Sequence, residues 1–184
     1  MIRVYHSGYE EIREPDVHRG RKNADLGQGF YTTDRREFAC RWAREKTGAD
    51  IYVNTYELEL EGLNIKKFER NEEWFRYVFS NRRSLPDYLS EYDVIMGPIA
   101  NDTIFDTLGI MTSGYLSDDE AMKLLCIGPC YQQITLKTLK AAEHLRFVSS
   151  EILSGADIEA NKKIAEADGE QYLSGFARVM EELN

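Results

Sequence analysis

The sequence predicts an α+β fold, a sheet-containing domain with flanking helices and a helical extension after it. Three observations lead there. Short stretches of alternating, β-branched and aromatic residues recur between residues 2 and 148. Helix starts interrupt them at Asp34, Asn71, Ser117 and Thr138, without the regular strand–helix rhythm of a doubly wound sheet. From about Ser150 the composition turns to Ala, Glu, Lys and Asp. The expected division is a domain over 1–149 and a helical extension over 150–184 packed on it.

Ile2 to His6 alternate as a strand, and Ser7-Gly8 ends it. Residues 9–13 are expected to form a helical turn that Pro15 stops. Residues 15–28 have no apolar periodicity; a loop that long inside a compact domain is usually functional or disordered. It leaves through Asp25-Leu26-Gly27-Gln28-Gly29-Phe30-Tyr31-Thr32-Thr33. Gly27 and Gly29 let the backbone turn sharply and lie close against something, and residues 29–33 read as a strand. Asp34 with Glu37 makes an acidic capping box, and Phe38, Ala39, Trp42 and Ala43 share one face of a helix over 34–46.

Residues 51–60 alternate as a half-buried strand. Asn71 caps a helix through about Ser80, with Trp74, Tyr77 and Val78 inward. Tyr92 to Met96 is a short apolar strand closed by Gly97-Pro98. Ser117 and Glu120 form a stricter capping box for a helix through Leu125. A strand over Gln132–Leu136, a helix over Thr138–Leu145 and a last strand at Phe147-Val148 follow. Two helices are expected at about 155–167 and 170–182, the second facing inward with Tyr172, Phe176, Val179 and Met180. Trp42 and Trp74 are expected in the core.

Composition narrows the function classes. A net charge of −9 argues against a general nucleic-acid binder, although Arg13, His18, Arg19, Arg21 and Lys22 cluster before the glycine turn. No apolar run is long enough for a membrane span, and the opening Met-Ile-Arg-Val-Tyr-His lacks the regions of a signal peptide. Three cysteines argue for a reducing compartment, and the expected location is cytoplasmic. No P-loop and no G-x-S-x-G elbow is present. Gly27-x-Gly29 lacks the third glycine of a dinucleotide fingerprint and precedes a strand where that fingerprint follows one. Cys126 and Cys130 have no partners at ligand spacing, so no metal site is expected.

One ordered set of motifs is more specific. Tyr5-His6-Ser7-Gly8 ends the first strand, Gly29-Phe30-Tyr31-Thr32-Thr33 begins the second, Ala39 and Trp42 lie in the next helix, and Gln133 starts a late strand. This order resembles the ADP-ribosyltransferase superfamily, in the branch with diphtheria toxin and the poly(ADP-ribose) polymerases. The fuller set looks like an uncharacterised bacterial family assigned to that superfamily. It comprises Tyr5 to Asp16, Asp25 to Thr33, Ala39 to Ala43, Asn81-Arg82, Tyr92 to Asp102 and Gln132 to Ile134. The resemblance covers residues 2 to 148 and implies a split β-sheet ADP-ribosyltransferase-like fold.

The resemblance also implies a chemistry. NAD would be the substrate, and breaking its bond to nicotinamide builds oxocarbenium-like charge on the ribose, so catalysis is mainly positioning and electrostatics. His6, Tyr31 and Gln133 would be the catalytic residues. His6 would hydrogen-bond the adenosine-side ribose, the Ser7 backbone would hold the nicotinamide amide, and Tyr31 would stack on the nicotinamide ring. Gly8, Gly27, Gly29 and Thr32 would line the cofactor. The loop over 15–28 would cover it; the motif does not fix a partner for the diphosphate, and the basic residues of that loop, Arg19, Arg21 or Lys22, are expected to pair with it. Asn81 and Asp102 would line the cleft or cap a turn. Relatives carry His-Gly-Ser where this chain has His-Ser-Gly, and a glutamate where it has Gln133; Gln132 is the alternative, one residue out of phase.

A glutamine can hold a ribose hydroxyl but cannot take a proton. The implied activity is therefore mono-ADP-ribosyl transfer, not chain extension, as in the toxin of a bacterial toxin–antitoxin or phage-defence pair. The acceptor would be a protein or nucleic acid, and an antitoxin protein the partner. Two other readings stand beside it: an inactive nucleotide- or partner-binding domain of the same fold, and an NAD glycohydrolase.

Overall fold

The computed structural model describes residues 1–43, 45–100, 116–128 and 130–182. Among them the chain forms seven strands in two sheets, with five helices. In chain order these are β1 (Ile2–Gly8), β2 (Phe30–Thr32), α1 (Arg36–Ala39), β3 (Tyr52–Leu58), β4 (Ile65–Lys67), α2 (Glu72–Arg82) and β5 (Val94–Pro98). They are followed by α3 (Asp118–Leu125), β6 (Gln132–Leu136), α4 (Leu139–Glu143), β7 (Leu145–Ile152) and α5 (Gly155–Glu182). The first sheet runs β1-β3-β7, all antiparallel; the second runs β2-β6-β5-β4, with β4 parallel to β5.

The two sheets face each other across one core. Val4, Tyr56 and Leu58 from the first sheet meet Phe30, Val94, Ile134 and Leu136 from the second. On the far side of the second sheet, α2 buries Trp74, Phe75, Tyr77 and Val78 with Leu26, Ile95 and residues of α3. Asn71 starts α2 as the spacing predicts, its side chain accepting from Trp74 N. Ser117 and Glu120 complete the predicted reciprocal cap of α3. A third, small core lies under α1, where Cys40, Ile51, Val53 and Leu153 meet.

Several elements differ from the expectation for definite reasons. Residues 9–13 form no helical turn. Asn54 and Tyr56 of β3 tie them to the sheet instead, through Ile12 N to Asn54 Oδ1 at 3.0 Å and Tyr56 OH to the Ile12 carbonyl at 2.6 Å. The helix expected over 34–46 stops at Ala39. Ala39 O and Ala43 N are an i, i+4 pair that would extend it, but the Ser7 hydroxyl sits between them, donating to one at 2.6 Å and accepting from the other at 3.2 Å. Asp34 does not cap it: the N-cap position is Arg35, without a side-chain bond. The two C-terminal helices are one, since Gly169 in the interior costs only about 1 kcal/mol and no proline interrupts it. β4 escaped the pattern because it spans three residues, two of them lysine. β7 continues to Ile152, beyond the expected boundary at 149. No helix among the described residues is long and apolar enough to cross a membrane.

Candidate functional site

Among the described residues, one backbone bridge joins the two sheets. Tyr5 and Thr33 exchange both backbone bonds, at 2.8 and 3.0 Å. The next pair in such a ladder would be Ser7 with Tyr31, but there the sheets part. The Tyr31 carbonyl is met instead by His6 Nδ1 at 2.7 Å. Backbone groups alternate in direction along a strand, so the Ser7 N–H and C=O point to the same side as those of Tyr5, into the gap. A carbonyl only accepts, so His6 Nδ1 carries the proton; burial lowers the pKa of this ring from 6.5, against the opposing effect of that carbonyl. The neutral ring therefore presents Nε2 as an acceptor. The His6 ring packs against Phe30 at 4.5 Å and edge-on to Trp42 at 6.2 Å.

Tyr31 is fastened at both ends. Its hydroxyl donates to the Gly27 carbonyl at 2.7 Å and accepts from Leu26 N at 2.9 Å. Burial is the main reason its pKa is pushed up. The loop it grips is held from below as well. Lys137 Nζ reaches the Leu26 carbonyl at 2.7 Å and Asp87 Oδ2 at 2.8 Å, while Asp87 Oδ1 accepts from Tyr77 at 3.0 Å. Asn81 donates to the Asp25 carbonyl at 3.1 Å, and Arg82 pairs with the Asp25 carboxylate at 2.8 Å. Gly27, at φ +77°, leaves no room for a side chain: a Cβ there would fall on Lys137 Nζ and lie 2.9 Å from Asp87 Oδ2. At Gly29 a Cβ would lie 2.5 Å from the Leu136 carbonyl. The glycines thus lie against an ion pair and a strand.

Two cavities flank this arrangement. The larger, 690 Å³, has an aromatic wall of Phe38, Trp42, Tyr131 and Tyr172 and carries Arg21, Arg41, Arg82 and Gln133. Gln133 is on the same sheet face as Tyr31, because Tyr31 pairs with Thr135 and residues two apart share a face. Its Oε1 is buried with no hydrogen-bond partner among the described residues. The smaller cavity, 350 Å³, is lined by His6, Gly8, Arg19, Gly29 and Tyr31.

The predicted residues are therefore brought together only in part. His6, Gly8, Gly29 and Tyr31 share the smaller cavity, and Gln133 faces the larger one. Thr32 lies on the inter-sheet face, its hydroxyl donating to the Ile134 carbonyl at 2.7 Å. Gln132 is exposed on the opposite sheet face from Gln133. The basic cluster fans out: Arg19 pairs with Glu10 beside the smaller cavity, Arg21 enters the larger, and Lys22 with His18 lines a third space near Asp87. Asp102 lies outside the described residues. Sequence reasoning missed Lys137, Asp87 and Tyr77 beneath the glycine turn, and Arg41 in the cavity wall. The neighbouring Gly27 was the only signal for the first three.

No curated protein and no solved structure matches the chain. A family model described as "Protein of unknown function (DUF3990)" matches residues 2–147. A stretch of that length takes in all seven strands except the last residues of β7, and the chain accordingly belongs to the DUF3990 family.

Proposed function

We propose that this chain is an NAD-dependent mono-ADP-ribosyltransferase. The observation that carries the reading is Gln133: a buried amide oxygen without a partner among the described residues, in the wall of a cavity that combines aromatic rings with three guanidinium groups. Aromatic faces, cations and an amide suit a flat base, a diphosphate and a ribose hydroxyl. The parted sheets support it further, because the Ser7 peptide faces the gap and can take the two hydrogen bonds of a carboxamide.

In this reading the bond between nicotinamide and the ribose carbon breaks, and its electron pair leaves with nicotinamide. An acceptor lone pair forms the new bond to that carbon, and the acceptor's proton passes to a base outside Gln133. Gln133 holds a ribose hydroxyl, His6 Nε2 accepts from the second ribose, and Tyr31 faces the nicotinamide. Arg21 is the loop cation that reaches the larger cavity, so the diphosphate falls to it and not to Arg19. A toxin paired with an antitoxin protein is the setting that the family resemblance suggests, with a protein or nucleic acid as acceptor.

The test is calorimetry with NAD, followed by assay of released nicotinamide. NAD should bind, and Tyr31→Ala and Gln133→Ala should each weaken binding at least tenfold. Gln133→Glu should raise nicotinamide release about tenfold or more, since a full negative charge stabilises the oxocarbenium better than an amide dipole. Folded protein that takes up no NAD at millimolar concentration would sink the proposal. NAD binding without nicotinamide release, in the wild type and in Gln133→Glu alike, would favour a nucleotide-binding domain, a reading that the missing carboxylate at Gln133 supports.

A further inference from the structure

We propose that Arg41 is an anion-receiving residue of the large cavity, and that the Asp168 carboxylate of α5 occupies its guanidinium until a ligand's diphosphate takes that place. The identity of the ligand rests on the donor reading above; the anion site rests on the geometry alone.

The cation belongs to the body of the domain. Phe38 and Tyr131 stack at 4.3 Å with their planes 12° apart, and the Arg41 guanidinium carbon lies 5.5 and 4.9 Å from their centroids. The Arg41 side chain is only 10% exposed. A guanidinium this buried needs an anion. It has one in Asp168, whose Oδ2 accepts from Arg41 Nη1 at 2.6 Å.

The anion belongs to a separate element, α5, whose Ile158 packs on the third core. Among the described side chains of α5, Tyr172 alone is buried. The helix bridges two voids. Ala165, Asp168, Gly169 and Tyr172, spaced on one helical face, roof the 690 Å³ cavity. Ile158, Asn161 and Lys162 border a second space of 260 Å³ against Cys40 and Ala43. Close contact comes at Gly175, where a Cβ would lie 2.7 Å from Ile127 Cγ2. Asp168 itself is 38% exposed. The pair thus joins a fixed cation to a carboxylate that can leave into water.

A diphosphate is the better partner for such a cation. It carries more charge than one carboxylate and presents paired oxygens to the guanidinium fork. It also cannot share the site, since Asp168 would repel it. Ligand entry and the seating of α5 at Asp168 are therefore mutually exclusive.

The experiment titrates the full chain with inorganic pyrophosphate, ADP and ADP-ribose, at fixed salt. Asp168→Asn should tighten all three about tenfold by removing the competing charge. Arg41→Gln should weaken them tenfold or more and abolish the gain from Asp168→Asn in the double variant. Asp168→Glu, which keeps the charge, should bind like the wild type. Gly175→Ala, which pushes α5 away from Ile127, should tighten binding by a separate route and covers the case in which Asp168→Asn folds poorly.

Unchanged or weaker binding in folded Asp168→Asn, unchanged binding in Arg41→Gln, or no binding of any probe by any variant would overturn the proposal. Nicotinamide release separates the two readings. Release from NAD with no effect of Arg41 or Asp168 removes the anion site and leaves the donor reading. Tighter ADP-ribose binding in Asp168→Asn with no release does the reverse.

Discussion

Lys137→Met is the sharpest test of how the glycine turn is held. Methionine keeps the apolar stem of the lysine and removes its charge. The wild-type Lys137 side chain is 5% exposed and that of its partner Asp87 25% exposed, so the pair is buried on one side and partly wet on the other. Breaking a fully buried pair costs about 3–5 kcal/mol, and partial solvation of the carboxylate brings that to about 2–3 kcal/mol. The Leu26 carbonyl lies 3.3 Å from the Tyr77 hydroxyl, whose one proton it shares with Asp87 Oδ1 at 3.0 Å, so it keeps a weak partner when Lys137 is gone. For a chain of 184 residues the melting temperature should fall by about 4–12 °C. A double-mutant cycle with Asp87→Asn should return a coupling of about 1.5 kcal/mol or more.

The pH dependence gives a second readout of the same pair. Burial pushes the Asp87 carboxyl up, but Lys137, Leu89 N and Tyr77 outweigh it and hold it below 3.8. A carboxyl with a lowered folded-state pKa stabilises fully above its unfolded pKa and loses that contribution as pH falls through the folded value. The wild type should therefore lose stability below about pH 4, and Lys137→Met should lose less there, having less to lose. The measurement is thermal unfolding by circular dichroism from pH 7 to pH 2. A melting shift under about 2 °C, or a coupling below about 0.5 kcal/mol, refutes the account of the turn.

Two further outcomes follow. Gly27→Ala and Gly48→Ala both place an alanine at φ +77°, but only Gly27 has neighbours there. Gly48→Ala should cost about 1–2 kcal/mol and Gly27→Ala about 2 kcal/mol more, with the NAD binding proposed above lost only in the second; equal urea midpoints would show that the turn is not packed on the ion pair. His6 has its pKa lowered by burial, so the folded state resists its protonation: stability is full above pH 6.5 and declines as pH falls below it. The decline can steepen to at most about 1.4 kcal/mol for each step of one in pH, and His6→Gln should flatten it in urea midpoints taken between about pH 7.5 and 5.

The parts of the fold that were legible in the sequence are those decided locally. The caps at Asn71 and Ser117 use side chains three residues from their targets, so spacing alone reveals them. The β6 strand and its phase were legible because one face must be buried, which puts Gln133 and Tyr31 on the same side. What was hidden depends on distant partners. The end of α1 is set by Ser7, more than thirty residues earlier. Residues 9–13 are tied to the sheet by Asn54 and Tyr56. The basic cluster looked like one patch because its members are adjacent in sequence, but an irregular loop turns neighbouring side chains towards different cavities. Arg41 gave no signal because its anion, Asp168, lies 127 residues away.

The pairing order of the strands bears on how the protein comes into being during synthesis. β2, which carries Tyr31, has β6 as its ladder partner, and Thr32 bonds Ile134 across 102 residues. The first sheet waits in the same way for β7. Contacts this far apart in sequence close late and slowly. A ribosome-bound chain that has not yet released Gln132–Leu136 holds His6 and Tyr31 with no second sheet to set them. The assembled cavity therefore arrives only once Gln132–Leu136 has been made and paired, so the cell meets whatever activity it carries as a finished domain.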